Sequence, residues 1–178
     1  RHQTPHEGSV RYLSATWGPD GDALYLVTDH GADTLYLARL PLADADRDTG
    51  SDLACLVDGG TWNVDGVSLD VDSGRLVYSR NVDGSTELAA GVLAGPTDLR
   101  TFPTPDLPGA VAGGVSWSDD ADRFAVTATG RTENTNLYVV ETGTGAVTRW
   151  TRAATAGIPR QSFVAPELVR YGSFDGLE

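Results

Sequence analysis

At 178 residues and 40% hydrophobic, the chain carries enough apolar surface for one packed domain and is no disordered tail. Its 13 Lys+Arg against 25 Asp+Glu give a formal net charge of −12, which excludes a surface built to neutralise nucleic-acid phosphates. The single Cys55 excludes an internal disulfide framework and a cysteine-built zinc site, and no apolar run is long enough to span a bilayer.

All 13 cations are arginine, lysine is absent, and Asp outnumbers Glu by 19 to 6. So much like charge strains a small folded body unless salt screens it, a pattern that resembles the proteomes of salt-loving archaea. A GC-rich genome also favours Arg over Lys and is the rival source of the bias. The expected location is the cytoplasm of a halophilic archaeon, with no nucleic-acid and no membrane partner.

In chain order, residues 1–14 read as the end of a preceding unit and a linker. Three similar stretches follow: "ATWGPDGDALYLVTD" (15–29), "VSLDVDSGRLVYSRN" (67–81) and "VSWSDDADRFAVTAT" (115–129). Each is an apolar run, an acidic turn and a β-rich run. Trp17, Leu69 and Trp117 hold one place in the repeat, Leu24, Leu76 and Phe124 another seven residues on, and Leu35, Leu88 and Leu137 a third. The units are spaced by 52 and then 48 residues. Each adds a fourth β-like stretch, Leu53 to Val57, Leu99 to Phe102 and Ala146 to Thr151.

Four short strands in a repeat of this length predict an all-β chain, a partial β-propeller of about three four-stranded antiparallel blades. The blades are placed at 15–58, 59–103 and 104–152, and an exit segment at 153–178. Asp20-Gly21, Ser73-Gly74 and Asp83-Gly84 supply turn positions tolerant of positive φ, and "ETGTGAV" around Gly143 and Gly145 suits a hairpin. Leu24/Leu26 against Tyr25/Val27 puts apolar residues on both faces of one strand, as expected where sheets pack on both sides. An immunoglobulin-like sandwich also has many short strands, but repetition of the whole unit argues against it. Cys55 reads as a buried strand residue, and Trp17 and Trp117 as packing between blades, with Trp62 and Trp150 less clearly placed. Near the end, Leu168-Val169-Arg170-Tyr171 reads as a strand leading into a Ser173–Gly176 turn whose second strand is missing.

No residue is assigned a catalytic, cofactor-binding or metal-binding role. The Gly-x-Ser-x-Gly elbow is absent, and "GGVSWS" and "YGSFDG" lack its spacing. The histidines are His2, His6 and His30; a triad of Ser14 or Ser68 with His30 can be drawn, but Ser and Asp are common enough for chance to supply it. Asp44, Asp46, Asp48 and Asp52 alternate as calcium ligands do, yet Gly50 falls one position late and Cys55 stands where a bidentate Glu belongs, so a solvated acidic loop is the plainer reading. Asp119, Asp120 and Asp122 match Asp20 and Asp22 of the first unit and read as turn chemistry.

The blade motif "WGPDGDALYLVTDHGADTLYLARL" resembles propeller domains of the prolyl oligopeptidase class of serine peptidases, and "FVAPELVRYGSFDGLE" (163–178) resembles the hinge into their α/β-hydrolase domain, in acylaminoacyl-peptidase-like and dipeptidyl-peptidase-like members. The Tol-system propeller shares the blade motif. The second unit departs from it, with Leu69-Asp70-Val71-Asp72 where Trp-Ser-Pro-Asp is expected. The resemblance implies a non-catalytic propeller fragment that gates peptide access to a downstream active site, its partners being that hydrolase domain and peptide substrates. It implies no cofactor, and it places nucleophile, acid and base beyond residue 178. A stand-alone Tol-type scaffold for protein interactions is the alternative, and a propeller hydrolase or lyase using its own Asp and His residues is a third. Three blades leave two blade faces unburied, which predicts self-association through them or weak stability at low salt.

Overall fold

A computed structural model describes residues 7–42, 53–108, 110–174 and 176. Its strands form three four-stranded antiparallel sheets, each a meander in chain order. The first holds β1 (Tyr12–Trp17), β2 (Ala23–Thr28), β3 (Tyr36–Pro41) and β4 (Ala54–Val57). The second holds β5 (Val64–Leu69), β6 (Arg75–Val82), β7 (Ser85–Gly95) and β8 (Asp98–Thr101). The third holds β9 (Ala110–Trp117), β10 (Arg123–Gly130), β11 (Asn136–Glu141) and β12 (Val147–Arg149). This is a partial β-propeller. The first strand starts at Tyr12, inside the stretch read above as linker. Among the described residues no helix is long and apolar enough to cross a membrane.

The hairpins follow from their turn residues. Gly21, Gly74 and Ala121 take the left-handed position between first and second strands, with φ of 66°, 68° and 52°. At each of these hairpins a backbone N–H reaches across to the start of the next strand: Gly18 to the Ala23 carbonyl, Asp70 to Arg75 and Ser118 to Arg123, at 2.8–3.0 Å. Asp83 and Gly84 are both left-handed, at 50° and 74°, as a two-residue hairpin between β6 and β7 requires. Gly145 closes the last hairpin; a Cβ there would stand 2.6 Å from the Pro103 carbonyl oxygen.

Strand alternation then stacks the sheets. Tyr25, Val27 and Leu37 of the first sheet pack on Leu69, Leu76 and Tyr78 of the second. The opposite face of the second sheet, with Val77, Leu88 and Ala90, packs on Phe124, Val126, Tyr138 and Val140 of the third. The second sheet is therefore covered on both faces, which is why its strands read as continuous apolar runs.

Three expectations need correction. Cys55 is exposed, because β4 is an edge strand and Cys55 sits opposite Ala38 on the face turned away from the second sheet. Trp17 is 57% exposed, although Leu26, Ala38 and Leu40 on the same face of the first sheet form a buried cluster of their own. Residues 163–172 form no strand: without a partner ladder the alternating run gains nothing from extension, and Val169 and Tyr171 are 72% and 79% exposed. The Ser173–Gly176 turn does form, with the Gly176 N–H on the Ser173 carbonyl at 3.1 Å.

Candidate functional site

The first strands of the sheets share a register shift two to four residues before each anchor. The register of β1 against β2 shifts between Leu13 and Thr16, that of β5 between Val64 and Gly66, and that of β9 opposite the stretch from Ala125 to Thr127. Ser14 and Gly114 lie in the bulges of β1 and β9 and carry positive φ of 51° and 70°, whereas in β5 the extra residue is Asp65 and Gly66 pairs with Ser79. A bulge inserts one unpaired residue and increases local twist, so each first strand bends at the same level. The bulges converge on a cleft of about 160 Å³ lined by Ser14, Gly66, Ser68, Ser79, Gly113 and Gly114 among others. Hydroxyls, backbone and the apolar side chains of Val67, Val77 and Leu88 face this cleft, and among the described residues no carboxylate, histidine or thiol lines it. It can hydrogen-bond an extended chain; it has no group to move a proton at neutral pH.

His30 lies elsewhere. Its Nδ1 is 2.7 Å from the Tyr12 hydroxyl, its backbone N–H donates to Thr28 Oγ1, and its carbonyl accepts from the Tyr36 hydroxyl at 2.9 Å. The adjacent Asp29 accepts from the Arg11 backbone N–H and guanidinium at 2.8 and 2.7 Å, and those bonds, the backbone one first, hold its carboxyl below the usual value. Among the hydrogen bonds described, His30 meets Tyr12, Thr28 and Tyr36, and the Ser68 hydroxyl accepts from the Trp117 indole N–H at 3.0 Å. The structure does not bring the drawn triad together.

The acidic hairpin of the third sheet is turn chemistry, with one addition. Asp120 Oδ1 accepts from the Ser118 hydroxyl at 2.6 Å and from the Asp122 N–H at 3.1 Å, which lowers its carboxyl. Asp122 reaches back to the second sheet and pairs with Arg75 at 2.5 Å. The two residues are 47 positions apart, and nothing in the sequence links them. Asp44, Asp46, Asp48, Gly50 and Asp52, like His2, His6, Leu177 and Glu178, lie outside the described residues. Among the described residues no group of three His, Cys, Asp or Glu side chains could hold a metal ion. Tyr25, whose phenol is raised by burial, donates to the Pro96 carbonyl at 2.9 Å beside Arg39, which pairs with Asp22 at 2.8 Å. Partial burial also pushes the Cys55 thiol up, so it is protonated at neutral pH.

The exit segment runs back over the sheets. Arg149 and Arg160 both pair with Glu133, at 2.7 and 3.1 Å, and Arg170 pairs with Asp83 at 2.5 Å. These pairs tether residues 160–170 across the turns of the second and third sheets.

No known protein family and no curated protein matches the sequence. Solved structures do. A prolyl endopeptidase studied for inter-domain dynamics in catalysis and specificity superposes with a TM-score of 0.74 at 20% identity, over 96% of this chain and 23% of that one. Prolyl oligopeptidase B from Galerina marginata gives 0.72 at 14% identity, over 95% and 22%. TolB from Acinetobacter baumannii gives 0.51 at 17% identity, over 78% and 32%. The likeness is one of fold, and the chain spans less than a quarter of the two peptidases.

Proposed function

We propose that this chain is the non-catalytic propeller portion of a serine peptidase of the prolyl oligopeptidase class, restricting which peptides reach an active site on an α/β-hydrolase domain of the parent polypeptide. The observation that carries the reading is the reach of the likeness: it covers 96% and 95% of this chain for the two prolyl peptidases and 78% for TolB. The exit segment adds support. Val164, Val169, Tyr171 and Phe174 are 86%, 72%, 79% and 103% exposed, and so many large apolar side chains in one short run call for a covering surface, which a neighbouring domain supplies. The hydroxyl-lined cleft at the bulges suits passage of a peptide and not its cleavage.

The alternative, a Tol-type propeller scaffolding protein contacts, draws on the likeness to TolB. Fluorophosphonate labelling of the native gene product in its source cells separates the two. A labelled polypeptide far heavier than 18.8 kDa that yields peptides of this chain is the expected result. An unlabelled product carrying these peptides overturns the peptidase reading. The lysine-free acidic composition supports placing the parent protein in the cytoplasm of a salt-loving cell, and growth-medium salt followed against the location of the tagged protein tests it.

A further inference from the structure

The exit segment is fixed at its root and held by charge beyond it. At the root, the Ala153 N–H donates to Asn136 Oδ1 at 2.7 Å and the Asn134 side-chain amide to the Ala154 carbonyl at 2.6 Å, and Asn136 is itself buried in the third sheet. A reversal follows. Ala156 and Gly157 are consecutive left-handed residues, with φ of 51° and 83°, closed by the Ile158 N–H on the Thr155 carbonyl at 2.9 Å and the Thr155 hydroxyl on the Ile158 carbonyl at 2.7 Å. An alanine in that region carries strain that a freed chain relaxes.

Past the reversal the chain lies over the turns that join second to third strands. Arg160 pairs with Glu133 in the turn after β10, and Arg170 with Asp83 in the turn after β6, at 3.1 and 2.5 Å. Between these two clasps, Pro166, Glu167 and Leu168 wall one side of a cleft of about 360 Å³, and Asp83, Val111 and Arg131 stand on the other. Among the described residues no backbone hydrogen bond joins 164–172 to a sheet, and Val164, Leu168, Val169 and Tyr171 are exposed. The clasps therefore act against the conformational entropy of an ordered run of chain, and exposed ion pairs each contribute little. Docked and free states lie close in free energy.

We propose that residues 158–172 are a hinged strap, which turns about Ala156-Gly157, is latched by Arg160–Glu133 and Arg170–Asp83, and opens the cleft beneath it when the latch is released. Arg149 also holds the Glu133 carboxylate, at 2.7 Å within the third sheet, so that half of the latch keeps its place when the strap leaves. Arg170–Asp83 is the clasp farther from the hinge. Salt favours release by screening both pairs. The inference uses these contacts alone and stands apart from the peptidase reading.

Spin-label distance measurement by pulsed electron resonance tests this in the 178-residue chain, with folding checked by circular dichroism. Cys55→Ser removes the native thiol, and labels go on two exposed sites, Thr132→Cys on the third sheet and Val169→Cys on the strap. One narrow distance is expected at low salt. Asp83→Asn, which keeps a residue suited to its left-handed turn position, and Arg170→Gln are each expected to lower the ratio of docked to free strap by about two- to fivefold, read as a second, broad population. The double variant is expected to fall no further than either single one, and salt at about 1 M to shift the unsubstituted strap the same way. A broad distribution at low salt without these substitutions, a narrow one that survives both of them, or single effects that add in the double variant overturns the proposal. None of these readouts involves hydrolysis, so failure here and failure of the fluorophosphonate test are told apart.

Discussion

The two inter-sheet contacts occupy the same places in the repeat and differ in chemistry. Between the first and second sheets the anchor is Leu69, packed in an apolar cluster with Tyr25, Leu37 and Leu76, and the polar links lie at its margins, the Tyr25 hydroxyl on the Pro96 carbonyl at 2.9 Å and the Val64 N–H on the Leu35 carbonyl at 3.0 Å. Between the second and third sheets the anchor is Trp117, whose ring meets Phe124 edge-on with centroids 5.5 Å apart and whose N–H reaches Ser68. Both contacts bury apolar side chains; in the second the indole and the Arg75–Asp122 pair add direction through side chains, fixing which part of one sheet faces which part of the next.

The largest test of that comparison removes the apolar centre of each contact. Phe124→Ala and Leu76→Ala, both side chains essentially fully buried, are expected to cost about 3–5 and about 2–5 kcal/mol in urea unfolding. Two losses of similar size bear out a shared apolar mechanism; a large loss at only one contact breaks it. A smaller effect is expected at the bulges. Gly114→Ala meets only Thr127 Oγ1, at 3.9 Å, so its cost of about 1–2 kcal/mol is backbone strain at φ of 70°. Ser14→Gly, at the matching place, is expected to stay within about 0.5 kcal/mol, since relief of strain is offset by chain entropy.

Smaller again is the polar part of the second contact. Trp117→Phe keeps most of the ring and loses the bond to Ser68, for about 1 kcal/mol, while Trp17→Phe changes stability by less than about 0.5 kcal/mol. The smallest effect is a pH dependence at Asp29. Its folded carboxyl titrates below its ordinary value, so its contribution is fully present above the unfolded pKa, about 4, and is lost as pH falls through the folded one. Asp29→Asn is expected to lower stability slightly at neutral pH, where the carboxylate's contribution is present, to change little below the folded pKa, and so to flatten the profile in the acid range between.

The blades were legible because their signal is repeated: one weak hairpin at Asp20-Gly21 says little, but the same turn after Leu69 and Trp117 fixes three sheets and the strands within them. The bulges were missed although "GVS" at 66–68 and 114–116 carried a trace, because a bulge is a property of pairing register, and Ser14 hides it in the first strand. Cys55 and Leu168 to Tyr171 misled for a related reason: alternation gives strand propensity, and burial depends on what lies opposite. Trp17 was read correctly in position and wrongly in burial, since the sequence repeat carries the anchor whether or not a sheet stands before it. The candidate site was the least legible part, as the Arg75–Asp122 and Trp117–Ser68 links join residues 47 and 49 positions apart.

The claim that Trp117 is an anchor seated between two sheets, while Trp17 at the same place in the repeat is exposed, is tested most directly by acrylamide quenching of two single-tryptophan variants, one keeping Trp17 and one keeping Trp117, with the other tryptophans changed to Phe. The account predicts that Trp117 is shielded while Trp17 is open to quencher. A Trp117 as accessible as Trp17 would contradict it.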